Sequence, residues 1–222
     1  MQGDEIKWEH DFVKLKHWDS VKQRGVQEKE AEIISNWIID LGFPYYKILE
    51  VGCGNGYLGK CIIDKLSKRN IKFLYHFSDL LPVCINLAKE TLRGTNADVQ
   101  LSVMDVYKAD KVISLGSQDV VISTGYASAG TYKEAIPVMA SLLRSKGVLI
   151  ADFVNHWSLP IILTEPILSL KRFTNFVRGV GKNYQFGAWG LKSLFGKFSL
   201  TLEQSSTIRF RRNPLICLFR KR

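Results

Sequence analysis

Hydrophobic residues follow two patterns that alternate along this chain. Short apolar runs indicate buried strands, whereas apolar positions repeated every three or four residues indicate amphipathic helices. The runs predict strands over 47–51, 72–78, 99–103, 119–123 and 147–153. The helical spacing predicts helices over 28–41, 57–66, 82–92 and 132–143. In the first of these helices, the charged residues are expected to lie on the face opposite the apolar one.

Strands that alternate with helices are typical of parallel βαβ units, so we predict an α/β fold with a doubly wound sheet. The alternation ends after Phe153. A helix is predicted over 189–195, and the strand-like runs 198–204 and 214–219 then follow with no helix between them, so they must pair antiparallel. The expected architecture is a mostly parallel seven-stranded sheet with helices on both faces and an antiparallel terminal hairpin.

The composition is that of an ordinary globular protein. The chain has 222 residues, of which 46% are hydrophobic and 23% charged, and this length favours one domain. Its four cysteines are scattered and none forms a CxxC pair, so we expect a cytoplasmic protein without a metal site. The first residues lack the apolar core of a signal peptide. The most apolar stretch, 157–170, is too short for a transmembrane helix.

The net charge of +10 is concentrated in the last third of the chain. Residues 155–222 carry 12 Lys and Arg against 2 acidic residues, whereas residues 1–154 carry 19 of each. Such asymmetry indicates contact with something anionic: RNA, an anionic membrane or an acidic substrate. A solvated surface that only keeps the protein in solution explains the charge equally well.

Candidate ligand-binding residues lie in the turn after the first predicted strand. The sequence over 50–56 is EVGCGNG. Glycines let the chain turn sharply and let a ligand approach the backbone, where a helix N-terminus offers unpaired N–H groups. Asp79 ends the second predicted strand, where a carboxylate can accept both hydroxyls of a ribose. Asp105 follows the third strand, where it can accept a hydrogen bond from an adenine amino group. These positions indicate a ligand that contains a nucleoside.

These residues resemble the motifs of the class I S-adenosylmethionine-dependent methyltransferases. ILEVGCGNGYLG resembles the first motif of that family, an acidic residue followed by x-Gly-x-Gly-x-Gly, and SDLLPVCINLAKE resembles the second. VMDVY, DVVIST and LLRSKGVLIADF resemble the third, the fourth and the entry to the fifth strand, although Ser145 and a single Gly147 replace the usual Pro-Gly-Gly. The resemblance implies a Rossmann-like methyltransferase fold, S-adenosyl-L-methionine as the methyl donor, S-adenosyl-L-homocysteine as the product, and no metal.

The resemblance also implies where the methyl donor lies, across the carboxyl ends of the first four strands. Its methionine end would rest on Glu50, Gly52 and the backbone near Ser123. Its ribose would be held by Asp79, and its adenine by Leu80 and the residues around Asp105. The implied cofactor-binding residues are Glu50, Gly52, Cys53, Gly54, Gly56, Asp79, Leu80, Met104, Asp105, Val106 and Ser123.

Methyl transfer from a sulfonium depends mainly on positioning, and it needs a base only if the acceptor must lose a proton. The candidate catalytic residues are His156, which follows the fifth strand, and Tyr126, which follows the fourth. His17 and Asp152 are further candidate bases. A histidine at the end of a strand is often a packing or hydrogen-bonding residue instead.

A nicotinamide-binding Rossmann domain is the alternative for the cofactor site. Gly54-x-Gly56-x-x-Gly59 matches the dinucleotide fingerprint, with Asp79 about twenty residues later. Glu50 has no role in that fingerprint, and an antiparallel terminal hairpin is foreign to that fold. Both features favour the methyltransferase interpretation.

The acceptor is expected to be chosen by segments outside the sheet. We divide the chain into N-terminal helices that act as a lid (1–44), a cofactor-binding core (45–154), a substrate-side insertion (155–196) and a terminal hairpin (197–222). The insertion mixes apolar and cationic residues, which favours a small-molecule or lipid-like acceptor, or peripheral contact with an anionic membrane. Methylation of RNA through the basic residues 155–222 is the alternative, and only charge favours it. A non-catalytic partner subunit that keeps the cofactor site is a third.

Overall fold

The computed structural model describes residues 21–124, 132–154, 196–207 and 214–222. In chain order, the helices are α1 (Val21–Asp40), α2 (Tyr57–Lys68), α3 (Pro82–Thr91) and α4 (Tyr132–Leu142). The strands are β1 (Tyr46–Val51), β2 (Phe73–Asp79), β3 (Val99–Val103), β4 (Gln118–Ser123), β5 (Leu143–Val154), β6 (Leu200–Thr207) and β7 (Pro214–Lys221). A short 3-10 helix, Val106–Lys111, follows β3. The helix predicted over 189–195 lies outside the described residues.

The strands form one seven-stranded sheet in the order β3-β2-β1-β4-β5-β7-β6. The first five strands in the chain pair in parallel, so Glu50 of β1 lies between Phe77 of β2 and Ile122 of β4. Strand β7 pairs antiparallel with both β5 and β6. The predicted mostly parallel sheet and its antiparallel hairpin are confirmed.

Helices cover both faces of the sheet, as the doubly wound prediction requires. One core cluster contains apolar residues of α1, α2 and α3, packed on strand residues such as Ile48, Tyr75 and Ile150. The other cluster contains apolar residues of α4 and the 3-10 helix, packed on Leu49 and Leu149. We call the side covered by α1, α2 and α3 the upper face. No helix in the described part of the chain is both long and apolar enough to span a bilayer.

Strand β5 begins at Leu143, earlier than the predicted start at Gly147. Its pairing with β4 shifts in register, because Gln118 pairs with Leu143 but Val120 pairs with Val148. Lys146 takes up the irregularity with a φ of +65°, which non-glycine residues rarely adopt. A β-bulge therefore lies in the first part of β5, where the polar residues 144–146 are typical of a turn.

Candidate functional site

The loop between β1 and α2 has the backbone of a ligand cradle. Gly52, Gly54 and Gly56 have φ angles of +74°, +56° and +74°, a region that side-chain-bearing residues rarely occupy. The N–H groups of Gly52 and Cys53 donate to the Ser78 carbonyl at 2.8 and 3.0 Å, which fixes the loop to the end of β2. The glycines of the first motif are therefore required by the shape of the turn.

Two glycines of this region differ in what surrounds them. A Cβ at Gly52 would have no atom within 4 Å, so the loop borders open space on that side. A Cβ at Gly59, in the first turn of α2, would overlap the Phe77 ring and the Glu50 carboxylate. Gly52 thus leaves room for a ligand, whereas Gly59 allows α2 to pack directly against β1 and β2. This close packing at Gly59 is compatible with a nicotinamide-binding domain as well as with a methyltransferase.

Asp79 lies beside the glycine loop, where the sequence places it. Its Oδ2 accepts a hydrogen bond from the Gly54 N–H at 2.9 Å, and its Oδ1 accepts one from the Leu81 N–H at 3.0 Å. Burial raises the pKa of this carboxyl, and the backbone hydrogen bonds oppose the shift. Hydrogen bonds from the Cys84 thiol and the Leu80 N–H also lower the pKa of this carboxyl. The protein therefore fixes the carboxylate beside the loop, and its role toward a ribose stays a prediction.

The predicted adenine side of the site contains exposed and buried residues. Leu80 is 43% exposed, so its side chain is available to a flat ring. Asp105 Oδ1 accepts a hydrogen bond from the Tyr107 N–H at 3.0 Å and caps the 3-10 helix. Met104 and Val106 are buried in the core cluster below the sheet, so they offer the crevice mainly backbone. Leu80 and Asp105 are the side chains of this set that can contact a base.

Glu50 is buried at the carboxyl end of β1. Its side chain is 2% exposed, and its Oε2 accepts a hydrogen bond from the Tyr75 hydroxyl at 2.9 Å. Burial raises its pKa to about 8, with a further contribution from the charge of Asp79, while the Tyr75 hydrogen bond lowers it. The role of Glu50 toward a methionine ammonium stays a prediction, and a cation beside it would restore its ionised form.

Glu30 of α1 joins Glu50 in the interior, contrary to the sequence-based expectation. The charges of this helix were predicted to face solvent, but Glu30 is 7% exposed. Its pKa is raised to about 8 by burial first, and then by the charges of Asp152 and Glu50. The sequence does carry a signal for this position, since Val26, Glu30 and Ile34 are four residues apart and share the buried stripe of α1.

The remaining predicted site residues divide into those that the structure describes and those that it does not. Cys53 is buried, and burial raises the pKa of its thiol, so it can serve a ligand only through its backbone. Ser123 is buried at the end of β4. His156, Tyr126 and His17 lie outside the described residues, so the choice of a base stays a prediction.

The raised pKa values of Glu30 and Glu50 predict that stability falls as pH rises. Both carboxyls have ordinary pKa values of 4.5 and folded values of about 8, so the folded state binds more protons between these limits. Their stabilising contribution is fully present below the unfolded value and is lost as pH rises through the folded value. Urea unfolding at about pH 6 and about pH 9 should show a loss on the order of 1–3 kcal/mol.

Variants on α1 test whether Glu30 causes part of this pH dependence. Glu30→Gln removes the titrating proton and should flatten the decrease in the free energy of unfolding. Glu32→Gln is the matched control, because the Glu32 side chain is 67% exposed on the same helix. The same slope in the parent protein and in Glu30→Gln would contradict the assignment.

Comparison with curated proteins identifies relatives that are much longer than this chain. No protein-family model matches the chain. The non-reducing polyketide synthase Preu3 of Preussia isomera is 29% identical over 146 residues, which make up 62% of this chain. The chain spans about 6% of the length of that relative.

Comparison with solved structures identifies the fold. Magnesium protoporphyrin IX methyltransferase from Synechocystis PCC 6803, crystallised with S-adenosylhomocysteine, is similar at a TM-score of 0.69 and 16% identity, over 91% of this chain and 88% of that chain. The 1,6-didemethyltoxoflavin-N1-methyltransferase of Burkholderia thailandensis is similar at a TM-score of 0.64 and 15% identity, over 99% and 86%. The chain therefore has the Rossmann-like fold of the S-adenosylmethionine-dependent methyltransferases, as its motifs predicted.

Proposed function

We propose that this protein is an S-adenosylmethionine-dependent methyltransferase that acts on a small-molecule or lipid-like acceptor. The observation that carries the proposal is the position of the Asp79 carboxylate, which holds the Gly54 N–H at 2.9 Å beside a loop that is open above Gly52. A ribose bound by Asp79 would place the rest of a nucleoside cofactor over this loop. Both neighbours described above are named as methyltransferases and were crystallised with S-adenosylhomocysteine.

Each part of the methyl donor has a proposed partner among the residues of the site. Asp79 would accept the ribose hydroxyls, and Leu80 would cover the adenine with Asp105 at its edge. The backbone around Gly52 would support the amino-acid part, next to Glu50. When bound, the donor supplies a methyl group already activated on a sulfonium. The protein contributes alignment of the acceptor with that methyl group and exclusion of water.

A small-molecule acceptor is favoured by what the similar proteins are named for. One neighbour is named for magnesium protoporphyrin IX and another for 1,6-didemethyltoxoflavin, and both are small molecules. The alternative, RNA methylation through residues 155–222, gains no support from these names. Those basic residues can instead hold the anionic head of a lipid-like acceptor.

If the acceptor must lose a proton, a side chain near the ends of β4 and β5 would accept that proton. His156 and Tyr126 are proposed for this role from their places in the sequence. Asp152, which lies in the last part of β5, is proposed as a further base.

Titration calorimetry with S-adenosylmethionine, S-adenosylhomocysteine and NAD tests the proposed cofactor. We expect binding of the first two in the micromolar range, about −8 kcal/mol, and no heat with NAD. Heat with NAD alone would refute the proposal and favour the nicotinamide alternative.

The acceptor class is tested separately with a labelled methyl donor. The protein is incubated with pools of lipids, quinones, small amines and RNA, and each fraction is counted for label. We expect label in a small-molecule or lipid pool. Label only in RNA would favour an RNA acceptor over a small-molecule or lipid-like acceptor.

A further inference from the structure

Basic residues of the described chain lie together where β5 and β6 begin and β7 ends. Strand β7 runs antiparallel to both neighbours, so Arg220 near its end pairs with Val148 of β5, and Lys221 pairs with Leu200 of β6. The end of β7 therefore lies beside the beginnings of the other two strands. We call the six cations of this region the basic corner: Arg144, Lys146, Lys197, Arg220, Lys221 and Arg222.

Hydrogen bonds between the strands fix the basic corner. Arg220 Nη1 donates to the Lys146 carbonyl at 3.2 Å. Lys221 Nζ donates to the Leu143 carbonyl at 2.7 Å. Both bonds join the end of β7 to the beginning of β5, so the fold holds these cations close to one another.

The positive charge of the basic corner exceeds the negative charge that pairs with it. Arg144 forms an ion pair with the buried Asp119, and Arg220 forms one with Glu203 at 2.6 Å. The remaining four cations pair with no acid among the described residues. Six cations against two acids leave an excess of four positive charges, which attracts an anionic partner.

Two exposed side chains with large apolar parts lie near the basic corner. The Arg144 guanidinium lies 4.4 Å from the centre of the Phe43 ring, in the loop that also contains Tyr45, which is 42% exposed. Leu115, in the loop before β4, is 63% exposed. The next N–H in the chain donates to the Ser141 carbonyl at 2.9 Å, two residues before β5. Cations and exposed apolar groups thus share one surface.

This surface lies at the edge of the sheet opposite the proposed donor site. Strands β1 and β2 end at the glycine loop and at Asp79, whereas the basic corner lies where β5, which runs in the same direction, begins. A partner bound at the basic corner would therefore leave the crevice accessible. Among residues 155–222, the acceptor role proposed above is left to the cations that precede Lys197.

An anionic membrane offers a contact for both kinds of side chain on this surface. Each Lys or Arg near an anionic bilayer adds to the attraction, and tyrosine is common at the boundary between lipid and water. An exposed leucine is stabilised when it leaves water for the outer part of the acyl chains. The phosphates of RNA would attract the cations equally but would not shelter Leu115 from water.

We infer that the basic corner, together with Tyr45 and Leu115, binds the surface of an anionic membrane and leaves the opposite edge of the sheet facing water. The membrane contact and the donor site would then act at the same time. Binding to a membrane requires neither donor nor acceptor, so a failure here would leave the proposed function untouched.

Sedimentation with lipid vesicles tests the membrane contact. The protein is mixed with vesicles of phosphatidylcholine alone, or of phosphatidylcholine with phosphatidylserine, at low and at high salt. We expect binding to the mixed vesicles only, and about tenfold weaker binding at high salt, because salt screens exposed charges. No binding to the mixed vesicles, or equal binding to both kinds, would overturn the inference.

A double variant, Lys146→Gln with Lys197→Gln, tests the basic corner itself. Neither ammonium forms an ion pair with a described acid, so the substitutions remove two charges and spare the observed contacts. We expect about tenfold or more weaker binding to the mixed vesicles. Lys29→Gln with Lys108→Gln is the matched control, since both lysines are exposed and lie outside the basic corner. An equal loss in the two double variants would attribute binding to net charge and contradict the inference.

Leu115→Ser distinguishes a membrane from RNA as the partner. The variant keeps every charge, and we expect about threefold weaker binding to the mixed vesicles. The same affinity as the parent protein would leave charge alone as the cause and refute the membrane assignment. Binding of the parent protein to poly(U) RNA without binding to the mixed vesicles would identify the basic corner as a nucleic-acid surface instead.

Discussion

Replacing Asp79 with Ala is expected to weaken the binding of S-adenosylmethionine about tenfold or more. A hydrogen bond to a charged group contributes about 1.5–3 kcal/mol, and the carboxylate is proposed to accept two from a ribose. The substitution also removes the acceptor for the Gly54 and Leu81 N–H groups, so the loop loses one of its attachments to the end of β2. Calorimetry of the parent protein and the variant measures the change.

Cys53→Ala is the matched control for Asp79→Ala. Cys53 belongs to the same loop, but burial raises the pKa of its thiol and only its backbone is available to the ligand. We therefore expect a change in affinity of less than about threefold. Equal dissociation constants for the two variants would refute the assignment of the ribose to Asp79.

Gly59→Ala is expected to lower the free energy of unfolding by about 2–3 kcal/mol. An added methyl group at this position would overlap the Phe77 ring and the Glu50 carboxylate, both of which are buried. Because these neighbours are packed in the interior, α2 must move away from the sheet to make room. Urea unfolding of the parent protein and the variant measures the loss.

Gly25→Ala is the control for Gly59→Ala, with the opposite expected sign. Gly25 lies within α1, and a Cβ there would have no atom within 4 Å. Alanine in a helix is more favourable than glycine by about 0.5–1 kcal/mol, so this variant should be more stable than the parent protein. Destabilisation by both substitutions to the same extent would contradict the packing argument.

Much of the fold was predictable from sequence because its strands are local and strongly apolar. The run 47–51 predicted β1 to within one residue, and the run 99–103 matched β3. The sequence also predicted Asp79 at the end of the second strand, and β2 ends at this residue. Such features depend on neighbours in the sequence and on the parallel geometry of the sheet.

The features that sequence did not predict depend on tertiary contacts. The bulge before Gly147 follows from pairing with β4, which no local pattern reveals. The 3-10 helix after β3 depends on capping by Asp105, a residue first interpreted only as a ligand contact. Glu30 was assigned to solvent because glutamate rarely occurs in an interior, and its burial depends on where α1 crosses the sheet.

Strand β7 lies inside the sheet, between β5 and β6, although its residues come last among the seven strands. On a ribosome, β5 therefore emerges with an unpaired edge and keeps it until Pro214, the partner of Val154, has been synthesised. At about 5–20 residues per second, this wait lasts several seconds. The apolar segment around Leu149 and Ile150 can meet the same segment of another nascent chain during that time. The yield of folded protein in a cell should therefore depend on translation speed and on chaperones that shield this edge.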